Sequence, residues 1–107
     1  MASSIVLVLT TLPADADAMT FGRRLVEERL AACVSVVGSL QSVYRWKGAI
    51  EDATEQQLLI KTEASVLDAL KQRLGVLHPY EMPELLVLPV TDGGDAYLAW
   101  VRHSIAG

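Results

Sequence analysis

The chain has 107 residues, 51% of them apolar, which fits one domain with a sizeable buried core. Nine basic and thirteen acidic residues give a net charge of −4, and the scattered basic side chains argue against a nucleic-acid-binding surface. One cysteine, Cys33, excludes an internal disulfide framework, and the apolar run at residues 5–9 is too short for a membrane span or signal sequence. We therefore predict a single cytoplasmic domain over residues 1–107, with neither nucleic-acid nor membrane partners.

The first predicted elements are a strand and a helix. Residues 4–11 are β-branched and almost continuously apolar, which is typical of a central strand covered on both faces, and Leu12-Pro13 ends it. Asp15 is a candidate N-cap for the helix that follows. Apolar residues then recur at helical spacing as far as Ala31-Ala32.

A long hairpin comes next. Residues 33–46 (CVSVVGSLQSVYRW) are predicted to form a strand with a bulge at Gly38. Lys47-Gly48 is a plausible turn, and the return strand finishes as LLIKT at residues 58–62.

The last elements are a helix, a strand and a terminal helix. Ser65 and Asp68 resemble a capping box, and a leucine register starting at Leu67 predicts a helix. This helix must stop at His78, because a residue before proline is pushed out of the helical region. Residues 84–91 predict a strand that its internal proline restricts to an edge or a bulge. A turn at residues 92–95 precedes a short helix, in which we expect Trp100 to be a core residue.

The element order is β-α-β-β-α-β, followed by the short C-terminal helix. This order predicts an α+β fold of the ferredoxin-like split βαβ type, in which an antiparallel sheet carries both main helices on one face.

The second predicted strand is too long for a compact single chain. Fourteen residues at about 3.3 Å each span about 46 Å, whereas a compact domain of this size is only about 34 Å across. The hairpin must therefore bend or protrude. Its tip carries Tyr44 and Trp46, residue types that are enriched at interfaces, so we predict that these side chains contact another subunit in a closed, symmetric assembly.

The stretch LHPYEMPE at residues 77–84 concentrates ionisable groups between two prolines. In polyproline II geometry His78, Glu81 and Glu84 would form one row, with about 9 Å per turn. Imidazole and carboxylate ligands would suit copper, zinc or a similar divalent ion, but bonds near 2 Å require a chain bend or ligands from a second subunit. Alternatively, the prolines stiffen a connector whose polar groups cap the helix or face water.

Two residues outside this stretch have both an ordinary and a chemical interpretation. Cys33 follows a helix among small apolar residues, so the ordinary interpretation is a buried apolar side chain and the chemical one is a nucleophile. Lys61 ends an apolar run, where it either extends its ammonium into water or meets an anion. The sequence contains no phosphate-binding loop, dinucleotide fingerprint or nucleophile elbow.

Taken together, several stretches resemble the CutA divalent-cation tolerance proteins over nearly the whole chain: LVEERLAACVSVV, SVYRWKGAIE, LLIKT, LHPYEMPELLVLPV and YLAWV. The resemblance implies a tight homotrimer, similar to PII signalling proteins, whose hairpins and sheet edges join between subunits. It also implies an inter-subunit cleft that includes Lys61, Tyr80, Glu81 and Glu84, and we add Cys33 as a candidate. The copper ligands proposed for a bacterial member fall here on Thr10, Leu77 and His78, of which only His78 keeps the ligand type.

We therefore predict a non-enzymatic homotrimer that binds a divalent metal ion, copper ahead of zinc, or a small ligand at an inter-subunit cleft. No cofactor is obligatory in this prediction. The alternative is a structural or signalling trimer akin to PII that recruits a protein partner. Acid-base catalysis by the cleft residues ranks third, because no motif names a reaction.

Overall fold

Residues 3–107, the part of the chain described by this computed structural model, form a four-stranded sheet and three α-helices. In chain order these are β1 (Ile5–Pro13), α1 (Ala18–Glu27), β2 (Cys33–Trp46), β3 (Ala49–Glu63), a 3₁₀ turn (Ala64–Val66), α2 (Leu67–Leu77), β4 (Leu86–Pro89) and α3 (Asp95–Ala106). The strand order is β2-β3-β1-β4, and all neighbouring strands are antiparallel. The predicted α+β class and element order are confirmed.

Strand β1 is central, as predicted, because it pairs with β3 along its whole length and with β4 on its other edge. Its apolar content follows from this position, since side chains on one face of the sheet meet α1 and α2 in the main core. That core is built around fully buried aliphatic residues from strands and helices: Val8, Leu12, Leu25, Leu58, Ile60, Leu70 and Leu74.

The opposite side of the sheet is covered only at one end. There Val101 and Ile105 of α3 pack against Ile5 and Ala32 in a second, smaller cluster. We call the remainder of this side the open face; its apolar side chains are Leu7, Leu9, Val37, Leu59, Leu86 and Leu88. The prediction that β1 is covered on both faces therefore holds only in part within a single chain.

The β2–β3 hairpin protrudes, as its length predicted. The molecule measures 44 × 27 × 23 Å along its principal axes. Pairing shifts register between Val37 and Leu40, so the predicted bulge at Gly38 is confirmed. Lys47 and Gly48 both have positive φ, at 48° and 83°, which gives the two-residue turn that matches the twist of paired strands.

Both predicted helix caps are wrong. The N-cap of α1 is Asp17, whose carboxylate accepts the Thr20 N–H at 3.1 Å, while Asp15 lies exposed in the preceding turn. Ser65 lies in the 3₁₀ turn and donates to the Glu63 carboxylate at 2.6 Å instead of capping α2. The N-cap of α1 lies two residues after the predicted Asp15, and the N-cap of α2, Val66, lies one residue after the predicted Ser65.

Two further predictions about the helices need correction. Helix α1 ends at Glu27, four residues before the predicted junction, because Arg29 takes a positive φ of 58° that a right-handed helix cannot continue through. Trp100 is 46% exposed and is therefore not a core residue. It lies on the outer side of α3 beside Tyr97, with ring centroids 5.5 Å apart.

The buried face of β1 contains one unsatisfied polar group. Thr10 is fully buried, and its hydroxyl has no hydrogen-bond partner among residues 3–107. We expect Thr10→Val to raise the free energy of unfolding by about 1 kcal/mol, because it removes a hydroxyl that lost its water on folding. Chemical denaturation would measure this change.

Thr62 provides the matched control. It is equally buried, but its hydroxyl donates to the Leu30 carbonyl at 2.7 Å. Thr62→Val should therefore lower the free energy of unfolding by about 1–2 kcal/mol. A shift of the same sign in both variants would contradict the assignment of Thr10 as unsatisfied.

Candidate functional site

The candidate site is organised by the end of α2, where the sequence predicted a stop. Leu77 is the last helical residue, and His78 turns extended with ψ of 134° because Pro79 follows it. The His78 backbone N–H still bonds to the Leu74 carbonyl at 2.9 Å. From this point residues 79–85, which we call the connector, lead to β4.

The ring of His78 is buried and makes two hydrogen bonds to backbone groups. Its Nε2 lies 2.7 Å from the Thr11 carbonyl oxygen, and its Nδ1 lies 3.1 Å from the Tyr80 backbone nitrogen. Because a backbone N–H can only donate, Nδ1 must be unprotonated and Nε2 must carry the proton. His78 is thus a neutral imidazole that ties the connector to the central strand.

This arrangement has consequences for the charge of His78 and for metal binding. The pKa of His78 lies below its usual value because burial lowers it. This effect outweighs those of the Thr11 carbonyl and the Glu55 charge, which both raise the pKa. Neither ring nitrogen is free within the chain, so a metal ion could bind His78 only by displacing a backbone partner. The predicted role of His78 as a metal ligand conflicts with this geometry.

The other two predicted ligands lie elsewhere. Glu84 accepts a hydrogen bond from the Gln57 side-chain amide at 3.0 Å. The Glu81 side chain is 76% exposed and lies 3.7 Å from the Lys47 ammonium at the hairpin tip. Within residues 3–107 no three His, Cys, Asp or Glu side chains come together as a metal site. The set His78, Glu81 and Glu84 therefore does not converge in one chain.

Glu55, which no sequence motif marks, is the buried acidic group of the site. It is 7% exposed, and its carboxylate accepts the Tyr80 hydroxyl at 2.7 Å. Burial raises the pKa of Glu55, but hydrogen bonds from the hydroxyls of Ser42, Tyr80 and Thr11 outweigh it, so the pKa lies below its usual value. Burial and then the Glu55 contact raise the pKa of Tyr80 far above its usual value. The pair is an ionised carboxylate and a neutral phenol.

A cleft of about 710 Å³ opens above this pair, between the hairpin and the connector. Its lining combines three carboxylates and three aromatic rings with smaller polar and apolar groups: Thr11, Ser42, Val43, Tyr44, Trp46, Glu55, Pro79, Tyr80, Glu81, Met82, Pro83 and Glu84. Among the described residues, no lysine, arginine or histidine contributes to this lining. The site is an acidic cleft with aromatic walls.

Three predicted cleft residues do line it, namely Tyr80, Glu81 and Glu84. Lys61 and Cys33 do not line it in a single chain, so their place in an inter-subunit cleft stays a prediction. They lie opposite each other on β3 and β2, where the Lys61 ammonium is 2.7 Å from the Ser35 hydroxyl and 3.7 Å from the Cys33 sulfur. Tyr44 and Trp46, predicted as interface residues, line the cleft as well.

The fold and the cleft together define a small α+β protein with an acidic cleft. The family described as CutA1 divalent ion tolerance protein matches residues 6–104, and the chain belongs to this family. The divalent-cation tolerance protein CutA of Thermus thermophilus is 45% identical over 98 residues, which cover 92% of this chain and 95% of the relative. The family description names a tolerance to divalent ions and no reaction.

Solved structures agree with this assignment. CutA from Xylella fastidiosa is 44% identical with a TM-score of 0.91, and the match covers 96% of this chain and 99% of that one. CutA from Synechococcus elongatus PCC7942, complexed with Bis-Tris, is 43% identical with a TM-score of 0.87, and the match covers 97% of each chain. Among residues 3–107 of the present chain, no helix is long and apolar enough to cross a membrane.

The buried, neutral state of His78 predicts how the stability of the fold depends on pH. Because its folded pKa lies below its unfolded value near 6.5, the unfolded state binds more protons as pH falls through that region, so stability should drop between pH 7.5 and 5.5. His78→Gln should cost about 1–3 kcal/mol at pH 7.5 but lose most of this pH dependence. Urea denaturation at several pH values would measure both effects.

His103 is the control, because it is exposed on α3. His103→Gln should keep the wild-type stability at pH 7.5. If His78→Gln retained the same pH dependence as the wild type, the neutral, hydrogen-bonded assignment of His78 would be wrong.

Proposed function

We propose that the chain is a non-enzymatic homotrimer that binds a divalent cation or another small positively charged ligand in the acidic cleft, with a neighbouring subunit completing the wall. The observation that carries the proposal is Glu55, a carboxylate that is buried beneath a cleft without basic residues in its described lining. Buried charges are normally paired, and this one has only hydroxyl partners. A cation in the cleft would supply the missing charge.

The chain's own cations do not meet this need. Lys47 is the basic group at the rim of the cleft, and it contacts Glu81 at 3.7 Å with both side chains mostly exposed. An exposed ion pair of this kind contributes little, at most about 1 kcal/mol. Glu55 and Glu84 are left to interact with a ligand.

The available donors favour oxygen coordination over the predicted copper site. Carboxylates suit magnesium, calcium or manganese, whereas copper and zinc prefer imidazole and thiolate. Of the three positions that the family resemblance suggested for copper ligands, Thr10 is buried in the core, Leu77 has no donor atom in its side chain, and the His78 ring is engaged by backbone groups. A copper-type site therefore does not fit these residues.

Titration calorimetry with magnesium, manganese, zinc and copper ions would test cation binding. We expect Glu55→Gln to weaken binding roughly tenfold or more, because the amide can still accept the Tyr80 hydroxyl but carries no charge. Asp52→Asn is the matched control, since it makes the same charge change on β3 with a side chain on the other face of the sheet. Equal responses from both variants would contradict the proposal.

The trimer is supported by surface that a single chain leaves uncovered. On the open face Leu86 is 54%, Val37 47% and Leu88 42% exposed, and the outer edges of β2 and β4 are unpaired in the described chain. Contiguous apolar surface and bare strand edges are liabilities that a closed assembly removes. In the proposed trimer each chain is a ferredoxin-like split βαβ domain, and hairpins and sheet edges that join between subunits, in a manner similar to PII proteins, would cover this surface.

Sedimentation at micromolar concentration would test the assembly. We expect a trimer for the wild type and smaller species for Leu86→Lys combined with Leu88→Lys, because charges would then be buried at the interface. Met19→Lys combined with Val76→Lys is the control: these residues are 63% and 70% exposed on α1 and α2, and this variant should stay trimeric. A monomeric wild type would remove the proposal of a shared cleft.

A second candidate is a structural or signalling trimer akin to PII that recruits a protein partner. It is favoured by the hairpin tip, where Val43 is 75% and Ile50 64% exposed. Pull-down with the wild type and a Val43→Ser, Ile50→Ser variant would discriminate, since only the wild type should retain the partner. The cytoplasmic location and the lack of nucleic-acid partners stay predictions of the sequence.

A further inference from the structure

We infer that the ligand of the acidic cleft is an organic ammonium ion, with its charged group toward Glu55 and its apolar part against Tyr44, Trp46 and Tyr80. The inference rests on the proposed function, because it names the class of ligand for the same cleft. Three features carry it: the size of the cleft, the sign of its charge, and an ammonium group that the chain itself places at the rim.

The size of the cleft suits a molecule more than a bare ion. Its volume of about 710 Å³ falls within the range of about 300–1,000 Å³ that is usual for small-molecule sites. A metal ion requires several donor atoms to converge within about 2–2.5 Å, and residues 3–107 hold no such group of three ionisable ligands. An organic ligand of several atoms could contact several walls of the cleft at once.

The charge of the cleft selects a cation. Glu55, Glu81 and Glu84 line it, and no basic side chain among the described residues joins them in that lining. Lys47 contacts Glu81 at the hairpin tip, but both side chains are mostly exposed. Glu55 is 7% exposed, so an ammonium that reached it would be largely desolvated and strongly attracted. An anionic ligand would meet repulsion from all three carboxylates.

The aromatic walls indicate an organic cation. A cation over the face of an indole or phenol ring is stabilised by the ring quadrupole, most strongly over tryptophan. The chain already shows this arrangement, because the Lys47 ammonium lies 5.5 Å from the centroid of the Trp46 ring and 3.7 Å from the Glu81 carboxylate. An aromatic ring and a carboxylate at the cleft rim thus hold one ammonium together, and a ligand could repeat this pairing deeper in the cleft.

Tryptophan fluorescence of the assembled protein provides the test. Trp100 lies outside the cleft, so a Trp100→Phe background leaves Trp46 as the single tryptophan and makes its emission a report on the site. Two ammonium probes, choline and putrescine, are titrated into the protein. Their neutral counterparts, dimethylbutanol and butanediol, are titrated in parallel. We expect the ammonium probes to change the Trp46 emission in a saturable manner. Their dissociation constants should be roughly tenfold lower than those of the neutral compounds.

Variants then assign the contacts. Glu55→Gln and Tyr44→Leu should each weaken ammonium binding several-fold, whereas Asp52→Asn should leave it unchanged. Because Glu55 is buried, Glu84→Gln gives a second removal of charge at a half-buried position in case Glu55→Gln fails to fold. Equal binding of ammonium and neutral probes would overturn the inference.

The metal titrations separate this inference from the proposed function. If magnesium or manganese binds in a Glu55-dependent manner and neither ammonium probe does, the organic ligand is wrong and the proposed cation site stands. If neither metals nor ammonium ions bind, both are wrong. If an ammonium probe binds but Glu55→Gln and Glu84→Gln do not weaken it, binding occurs outside the cleft and the inference is overturned.

Discussion

The site depends on the ring of His78, which lies between the Thr11 carbonyl and the Tyr80 backbone N–H. The connector forms no strand between α2 and β4, and two of its residues are prolines that cannot donate a backbone hydrogen bond. The imidazole therefore supplies a link that secondary structure does not. It fixes Tyr80 where its hydroxyl meets Glu55, and so one buried histidine positions one wall of the cleft.

The two buried ionisable groups of the site have opposite states for physical reasons. His78 faces the core and two backbone groups that together satisfy only the neutral tautomer, while burial lowers its pKa. Burial also raises the pKa of Glu55, but hydrogen bonds from hydroxyl groups outweigh it, so the carboxylate is ionised. The neutral group thus serves as structure, and the charged group faces the cleft. A carboxylate kept ionised by dipoles alone remains available to a cation.

Residue types that act on their near neighbours in sequence predicted much of the fold. The site, in contrast, is formed by contacts between residues that are far apart in sequence. Pro79 ends α2, and Lys47-Gly48 forms the turn, because both effects act within a few residues. The contacts of the site join residues far apart in sequence, 67 positions for His78 and Thr11 and 25 for Tyr80 and Glu55. In the sequence Glu55 is one acidic residue among several on an exposed-looking strand. Lys61 is six residues further along the same strand, about 20 Å away, so it does not line the cleft of its own chain.

A role of His78 in metal binding would compete with its structural role. A metal at Nδ1 would displace the Tyr80 N–H, and a metal at Nε2 would displace the proton donated to Thr11; either change leaves a backbone group unpaired at a cost of about 1–3 kcal/mol. It would also release the segment that carries Tyr80 to Glu55. The proposed ligand would therefore be held by other groups. The groups that remain are carboxylates and aromatic rings, a combination that favours positive charge and an apolar body on the same ligand.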